Sequence, residues 1–296
     1  MFLLERVVEQ TGLNTRIATL AGFAAILMWS ALAVLIVATG AVPPFQLTAM
    51  TFAIGALAGA VVLTARRDWA FVTRMPSTSW LHGVCGLFLY HALYFFALRF
   101  APPAQAGLVN YLWPLLIVLL SGLLPGERLR PLHLIGALLG FCGTIILFAG
   151  RENLGLAAQF WPGYAAAFAA AFIWAGYSVL SRVMMATPAS AIVPFSAITA
   201  LLAVLCHLAL ETTMWPASLG AWLAMLALGI GPVGIAFQLW QIGMKHGNMR
   251  LLGIMAYAAP LLSTGLLIAV GLADFSMMLI ASAILIVSGG LIAVRA

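Results

Sequence analysis

The sequence predicts an all-α integral membrane protein of ten transmembrane helices, arranged as two inverted five-helix repeats. Three observations lead there. Of the 296 residues, 65% are hydrophobic and only 7% charged, with a mean hydropathy of +1.14, whereas a water-soluble domain carries about 25% charged residues. The apolar residues gather into ten runs, each near the length of about 20 residues that crosses a bilayer. Short motifs then recur along the chain at a nearly constant offset.

Charges, prolines and glycines bound each run in turn. Span one (residues 17–39) follows Arg16 and stops at Gly40. Pro43 and Pro44 lead into span two (45–65), which Arg66 and Arg67 close. Span three (79–98) follows Pro76 and ends at Arg99, and span four (104–124) lies between Pro102-Pro103 and Pro125-Gly126. Span five (132–149) starts behind Arg130 and Pro131 and stops at Gly150. Span six (161–183) carries Arg182 at its end, span seven (189–210) lies between Pro188 and Glu211, and span eight (219–244) lies between Pro216 and Lys245. Span nine (249–272) follows Asn248, and span ten (276–294) is closed by Arg295. No stretch remains for a soluble domain. The first sixteen residues carry Glu5, Arg6, Glu9 and Arg16, and the run behind them is too long for a signal-peptide core, so span one is expected to be retained.

Basic residues divide unevenly between the two faces. Arg6, Arg16, Arg66, Arg67, Arg74, Arg128, Arg130, Arg182, Lys245, Arg250 and Arg295 fall on the side of the N-terminus, against only Arg99 and Arg151 on the other. Such a bias marks the cytoplasm, so both termini are expected there. The net charge of +6 and the pI of 9.7 therefore read as topology signals, and no nucleic-acid partner is expected. Cys85, Cys142 and Cys206 lie inside apolar runs and imply no disulfide framework.

Met28-Trp29-Ser30-Ala31 in span one matches Ile173-Trp174-Ala175-Gly176 in span six, an offset of 145. Gly107-Leu-Val-Asn-Tyr111-Leu-Trp-Pro114 in span four lines up with Gly253-Ile-Met-Ala-Tyr257-Ala-Ala-Pro260 in span nine, an offset of 146. The same register pairs Gly83 with Gly229, Tyr94 with Trp240 and Arg99 with Lys245. The halves are residues 1–152 and 153–296. Because each holds five spans, an odd number, they enter the membrane in opposite orientations, the inverted repeat of many secondary transporters.

Ten helices in a five-plus-five array, a Trp in the first helix of each half, a Tyr-x-x-Pro in the fourth, and Pro125-Gly126-Glu127 after span four together resemble the drug/metabolite transporter superfamily, EamA type. Within it, Tyr90-His91-Ala92-Leu93-Tyr94 and Asn110-Tyr111-Leu112-Trp113-Pro114 are most similar to the YddG-type aromatic amino acid exporters. Leu272-Ala273-Asp274 stands where Pro-Gly-Glu would recur, which confines Glu127 to a loop role. The resemblance implies export of aromatic and other hydrophobic amino acids across a bacterial inner membrane.

A substrate path needs groups that are out of place against lipid. Gly83, Gly86, Tyr90 and Tyr94 share one face of span three at spacings of three and four. Tyr90 and His91 lie near mid-span, where no interfacial belt residue belongs, and His91 is the one ionisable group near the bilayer centre. An intramembrane ionisable residue is a functional candidate by default, and a neutral imidazole offers one donor and one acceptor. In span four, Pro114 removes a helix hydrogen bond and frees the carbonyl of Asn110, with Trp113 beside it. Tyr257 and Pro260 repeat that kink in span nine. Trp29, Trp174, Tyr177 and Trp240 complete the expected substrate-binding set around a central aromatic cavity.

Absences discriminate too. No Asp or Glu lies near a bilayer centre, since Glu127, Glu152, Glu211 and Asp274 fall in or beside loops, so a carboxylate proton relay is not expected. Facilitated export of a neutral or zwitterionic metabolite is the primary expectation. The alternative is export of drugs or other metabolites, with proton coupling through His91. The chain carries no His-Glu-x-x-His and no Gly-x-Ser-x-Gly, so neither an enzyme nor a metal or cofactor site is expected. Gly229-x-Gly231-x-x-Gly234 imitates a dinucleotide fingerprint but has Pro232 inside it and no strand before it. Gly55-x-x-x-Gly59 and Gly136-x-x-x-Gly140 are helix-packing patterns that could mediate dimers. A chain holding both halves needs no partner, and a monomer is expected.

Overall fold

A computed structural model describes residues 15–126, 128–149 and 156–296. Glu127 and the Glu5, Arg6, Glu9, Arg151 and Glu152 of the charge analysis lie outside the described residues. Among the described residues, ten helices are long and apolar enough to cross a membrane. They are Thr15–Ala38, Pro44–Ala65, Ser77–Phe100, Pro103–Ser121, Pro131–Ala149, Ala158–Leu180, Ala189–Leu210, Leu219–His246, Met249–Ala269 and Met277–Val294, spans one to ten.

Prolines begin spans two, four and five, where a missing N–H leaves no helix bond unmade. Some ends fall short of the sequence expectation for local reasons. Span four stops at Ser121, whose hydroxyl turns back to the Val118 carbonyl at 2.7 Å. Span six stops at Leu180, and the Ser181 hydroxyl donates to the Tyr177 carbonyl at 2.7 Å. Span nine stops at Ala269, because Gly271 takes a left-handed conformation at φ 74°, a backbone that favours glycine at a helix end.

Irregularities recur with the repeat. Span four is interrupted at Tyr111 and Leu112, and span nine at Ala256 and Tyr257, each break followed by a segment with Pro114 or Pro260 in its first turn. Spans three and eight each contain a π-helical stretch, Cys85–Leu89 and Gly229–Ile235, the second built around Pro232. Such wide turns absorb a residue that cannot join the α-helical ladder. Backbone groups released this way are tolerated at membrane depth only where protein satisfies them or a cavity is lined.

Packing follows the same two-fold exchange. Spans five and ten pack on each other, as do two and seven, so each of these pairs is its own image under the exchange. Span one packs on span eight, and the equivalent pair is six on three. Both small-residue patterns are consumed inside the chain. A carbon added at Gly136 would lie 2.7 Å from the Gly289 carbonyl of span ten, and one at Gly55 would lie 2.9 Å from the Gly229 carbonyl of span eight. Helix faces that approach this closely are not available to a second copy.

Successive spans alternate direction, which gathers the basic side chains at one end of the bundle, where Arg182 reaches the Lys245 and Gly247 carbonyls and the Asn248 N–H donates to Thr19. At the opposite face Glu211 ties span seven to span two. Its carboxylate accepts the first free backbone N–H groups of span two, from Phe45 at 2.9 Å and Gln46 at 3.1 Å, where a helix terminus favours negative charge. His207 bonds that carboxylate at 2.9 Å and Thr213 at 2.9 Å. Both residues sit at the end of span seven, Glu211 where the sequence placed it.

Candidate functional site

Where spans one, three, four, six and eight converge, their side chains form one aromatic cluster. Trp29 stands against Trp174 (ring centroids 5.7 Å apart) and Trp240 (5.2 Å). Trp113 meets the same two rings edge-on, at 6.4 and 5.9 Å. Tyr90 packs on Trp174 at 5.3 Å, and Tyr94, one turn further along span three, lies parallel to Tyr90 at 6.2 Å. Tyr177 follows Trp174 one turn along span six at 5.3 Å. Apart from the parallel Tyr90–Tyr94 pair, these are the tilted and edge-to-face arrangements that aromatic quadrupoles favour.

His91 sits edge-on among Phe52 (5.1 Å), Tyr90 (5.0 Å) and Phe237 (6.5 Å). Its Nδ1 is 2.7 Å from the Leu87 carbonyl inside the first π-helical stretch. A carbonyl only accepts, so the ring proton belongs on Nδ1 and Nε2 is left as the acceptor of the neutral ring. Nε2 makes no hydrogen bond among the described residues. The second π-helical stretch serves the cluster in parallel, since Trp29 Nε1 donates to the Pro232 carbonyl at 3.0 Å.

Asn110 ends the first segment of span four and donates from Nδ2 to the Tyr90 hydroxyl at 3.2 Å, while its buried Oδ1 has no partner. Trp240 Nε1 donates to Ser178 Oγ at 3.0 Å. The indole N–H groups of Trp113 and Trp174 make no hydrogen bond among the described residues. The cluster thus holds unpaired donors and acceptors but no formal charge.

One expected residue stands apart. Tyr257 is fully buried against span five, in ring contact with Phe141 at 6.3 Å, and its hydroxyl accepts the Leu115 N–H at 3.1 Å. That N–H belongs to the first turn after the break in span four, where no helix carbonyl reaches it, so the phenol braces the crossing of spans four and nine. Pro114 and Pro260 likewise lie in the first turn after these breaks.

Sequence reasoning missed Phe237 and Phe52. Phe237 contacts Trp29 (5.7 Å), Trp174 (5.6 Å) and Phe52 (5.8 Å). The 146-residue register was the available signal, for it carries His91 onto Phe237. Phe52 had no signal, being one apolar residue of an apolar span. His82 of span three also reaches the edge of the cluster, bonding Ser181 at 3.2 Å and stacking on Tyr177 at 4.7 Å.

Residues 16–149 and 161–295 each match the EamA-like transporter family. The chain belongs to that family. The EamA-like chain is 53% identical, over 93% of its length and 96% of the relative's, to a protein of Ancylobacter novellus named aromatic amino acid exporter YddG. Proteins of the same name from Salmonella typhimurium and Escherichia coli are each 28% identical over 84% of this chain and 87% of their own. A crystal structure of a 52% identical protein superposes with a TM-score of 0.90, covering 94% of this chain and 96% of that one. Membership of this transporter family, with its exporter relatives, makes the chain an integral membrane transporter of small molecules and not an enzyme.

Proposed function

We propose that this transporter exports small zwitterionic metabolites, aromatic and other hydrophobic amino acids first among them, by alternating access between the halves 1–152 and 153–296. One observation carries the reading. Unpaired groups of both kinds, the N–H donors of Trp113 and Trp174 and the acceptors Asn110 Oδ1 and His91 Nε2, face one aromatic cluster that has no formal charge. Donors suit a carboxylate, acceptors suit an ammonium, and the rings of Trp29, Tyr90, Tyr94, Trp174, Tyr177 and Trp240 suit an apolar side chain by stacking. Phe237 joins that wall, whereas Tyr257, Pro114 and Pro260 hold the broken spans that shape it.

The names of the three relatives support amino acids as cargo. The charge asymmetry supports a bacterial inner membrane with both termini in the cytoplasm. Consumption of the small-residue patterns inside the chain supports a monomer, and no cofactor or nucleic acid takes part. Among the described residues no Asp or Glu lies within the middle of a span, which supports export uncoupled from protons.

Uptake of labelled phenylalanine into proteoliposomes, with and without an imposed pH gradient, tests the reading. Saturable uptake that ignores the gradient is the expected result. Uptake that requires the gradient replaces the uncoupled reading with His91 as a proton relay, and its unpaired Nε2 is the observation favouring that alternative. Absence of uptake in both conditions removes phenylalanine as cargo and directs the assay to drugs and other metabolites.

A further inference from the structure

At the face that gathers the basic residues, spans three, six and eight are tied around the turn that follows span six. Lys245 Nζ donates to the carbonyls of Met184, at 3.3 Å, and Thr187. Arg182, at the head of that turn, donates back to the carbonyls of Lys245 at 2.6 Å and Gly247 at 2.8 Å. Ser79 of span three shares a hydrogen bond of 2.6 Å with Thr187, and His82 bonds Ser181. The space left among these groups is about 10 Å³, room for a water molecule but not for an amino acid. This face is shut, and Lys245, only 6% exposed, is the charge at its centre.

The repeat partner of Lys245 is in the opposite condition. Arg99 ends span three at the other face, is exposed, and makes no hydrogen bond or ion pair among the described residues. The register that carries Trp174 onto Trp29 carries the turn 184–187 onto 39–42, where Gly40 has φ 78° and Ala41 is exposed. In an inverted repeat, the two end states of alternating access exchange the conformations of the halves. A contact that closes one face in one state therefore has a repeat-related counterpart that closes the other face in the second state.

We infer that Lys245 and Arg99 are paired gate clasps, Lys245 closing the basic face by holding the 184–187 turn and Arg99 closing the opposite face by holding the 39–42 turn when the basic face opens. This rests on the alternating-access reading above but not on the identity of the cargo. Span eight carries Trp240 and Lys245, and span six carries Trp174 and runs at Leu180 directly into the turn headed by Arg182, so one helix pair joins the aromatic cluster to the clasp. Separating spans six and eight at the rings pulls the turn from the ammonium.

The test uses a full-length chain with Cys85, Cys142 and Cys206 replaced by Ala, and with Ser79→Cys and Thr187→Cys added. The hydroxyls at these two positions are 2.6 Å apart, so the thiols fall within disulfide reach when the clasp is closed. The initial rate of cross-linking by a mild oxidant, in proteoliposomes without substrate, reports how often the basic face is shut. Lys245→Met is expected to slow it about tenfold, the weight of one charge-assisted hydrogen bond. Adding Arg99→Met to Lys245→Met should return the rate to within about twofold of the parent, because both end states have then lost their cation. A lysine that merely stabilises its surroundings gains no rescue from a substitution at the far face, so a double variant as slow as the single one overturns the inference, as does Lys245→Met with an unchanged rate. Cross-linked parent protein should also stop carrying phenylalanine until reduced, and transport that persists after cross-linking refutes the gate without any variant of the clasp. A parent that takes up no phenylalanine refutes only the cargo, since the cross-linking rates still judge the clasp.

Discussion

Replacing Trp113 by Phe keeps an aromatic ring edge-on to Trp174 and Trp240 but deletes the indole N–H, one of the two unpaired donors in the cluster. A hydrogen bond to a charged group contributes about 1.5–3 kcal/mol, and about 1.4 kcal/mol corresponds to a tenfold change in affinity. The Trp113→Phe transporter should therefore show a KM for phenylalanine raised by about 10- to 100-fold. The smaller ring leaves a cavity, at a cost below that of truncation to alanine, about 3–5 kcal/mol, and keeps span four apolar, so the amount of protein in the membrane should match the parent. Initial rates of labelled phenylalanine uptake in proteoliposomes, over a range of concentrations, give KM directly. Phenylalanine methyl ester used as a competitor isolates the carboxylate, because it keeps the ring and amine and loses the negative charge. Its inhibition constant should rise by less than the KM for phenylalanine does, because the ester offers Trp113 no carboxylate to lose. Equal losses for acid and ester would refute a Trp113–carboxylate bond, and an unchanged KM for phenylalanine would remove Trp113 from the site altogether.

Trp113→Ala and Tyr94→Ala should each impair uptake while leaving membrane insertion intact, as judged by immunoblot and size-exclusion elution; parental transport in both would remove the proposed cavity wall. Glu211→Gln takes a full negative charge from the N-terminus of span two and from His207, so thermal unfolding in detergent should register a loss of about 1–2 kcal/mol; an unchanged Tm would show that this tie between spans seven and two adds nothing. Gly289→Val places a carbon 2.5 Å from the Gly136 carbonyl and should abolish the folded yield, while Gly290→Val, with open space around it, should leave the yield near the parent's.

Much of the fold was legible along the chain because its signals are local. Apolar runs near 20 residues, bounded by Pro, Gly and Arg, reveal spans without any knowledge of their neighbours, since the bilayer is a solvent that every span meets alone. The repeat was legible for a similar reason, as Trp29 and Trp174, or Pro114 and Pro260, are matched by counting. Most of the aromatic cluster followed from asking which side chains are misplaced against lipid, and that question has an answer whenever the side chain is a mid-span Trp, Tyr or His.

The same question cannot find Phe52 or Phe237, which lipid would accept as readily as protein does, and it ranks Tyr257 with the cluster although its phenol braces a broken helix. Nor does any local pattern show that the Leu87 carbonyl claims His91 Nδ1, or that Lys245 reaches the turn after span six while its repeat partner Arg99 points free. Which helix faces meet, which polar groups find partners and which of two symmetry-related faces is shut depend above all on contacts between spans far apart in the chain, such as Lys245 with the 184–187 turn or Trp29 with Pro232. Length, hydropathy, topology and the five-plus-five repeat were thus determined by the sequence itself, read one span at a time. The identity of the unpaired donors and acceptors was decided only when five spans met, because a hydrogen bond in a membrane interior is made or missed by the neighbour that packing supplies.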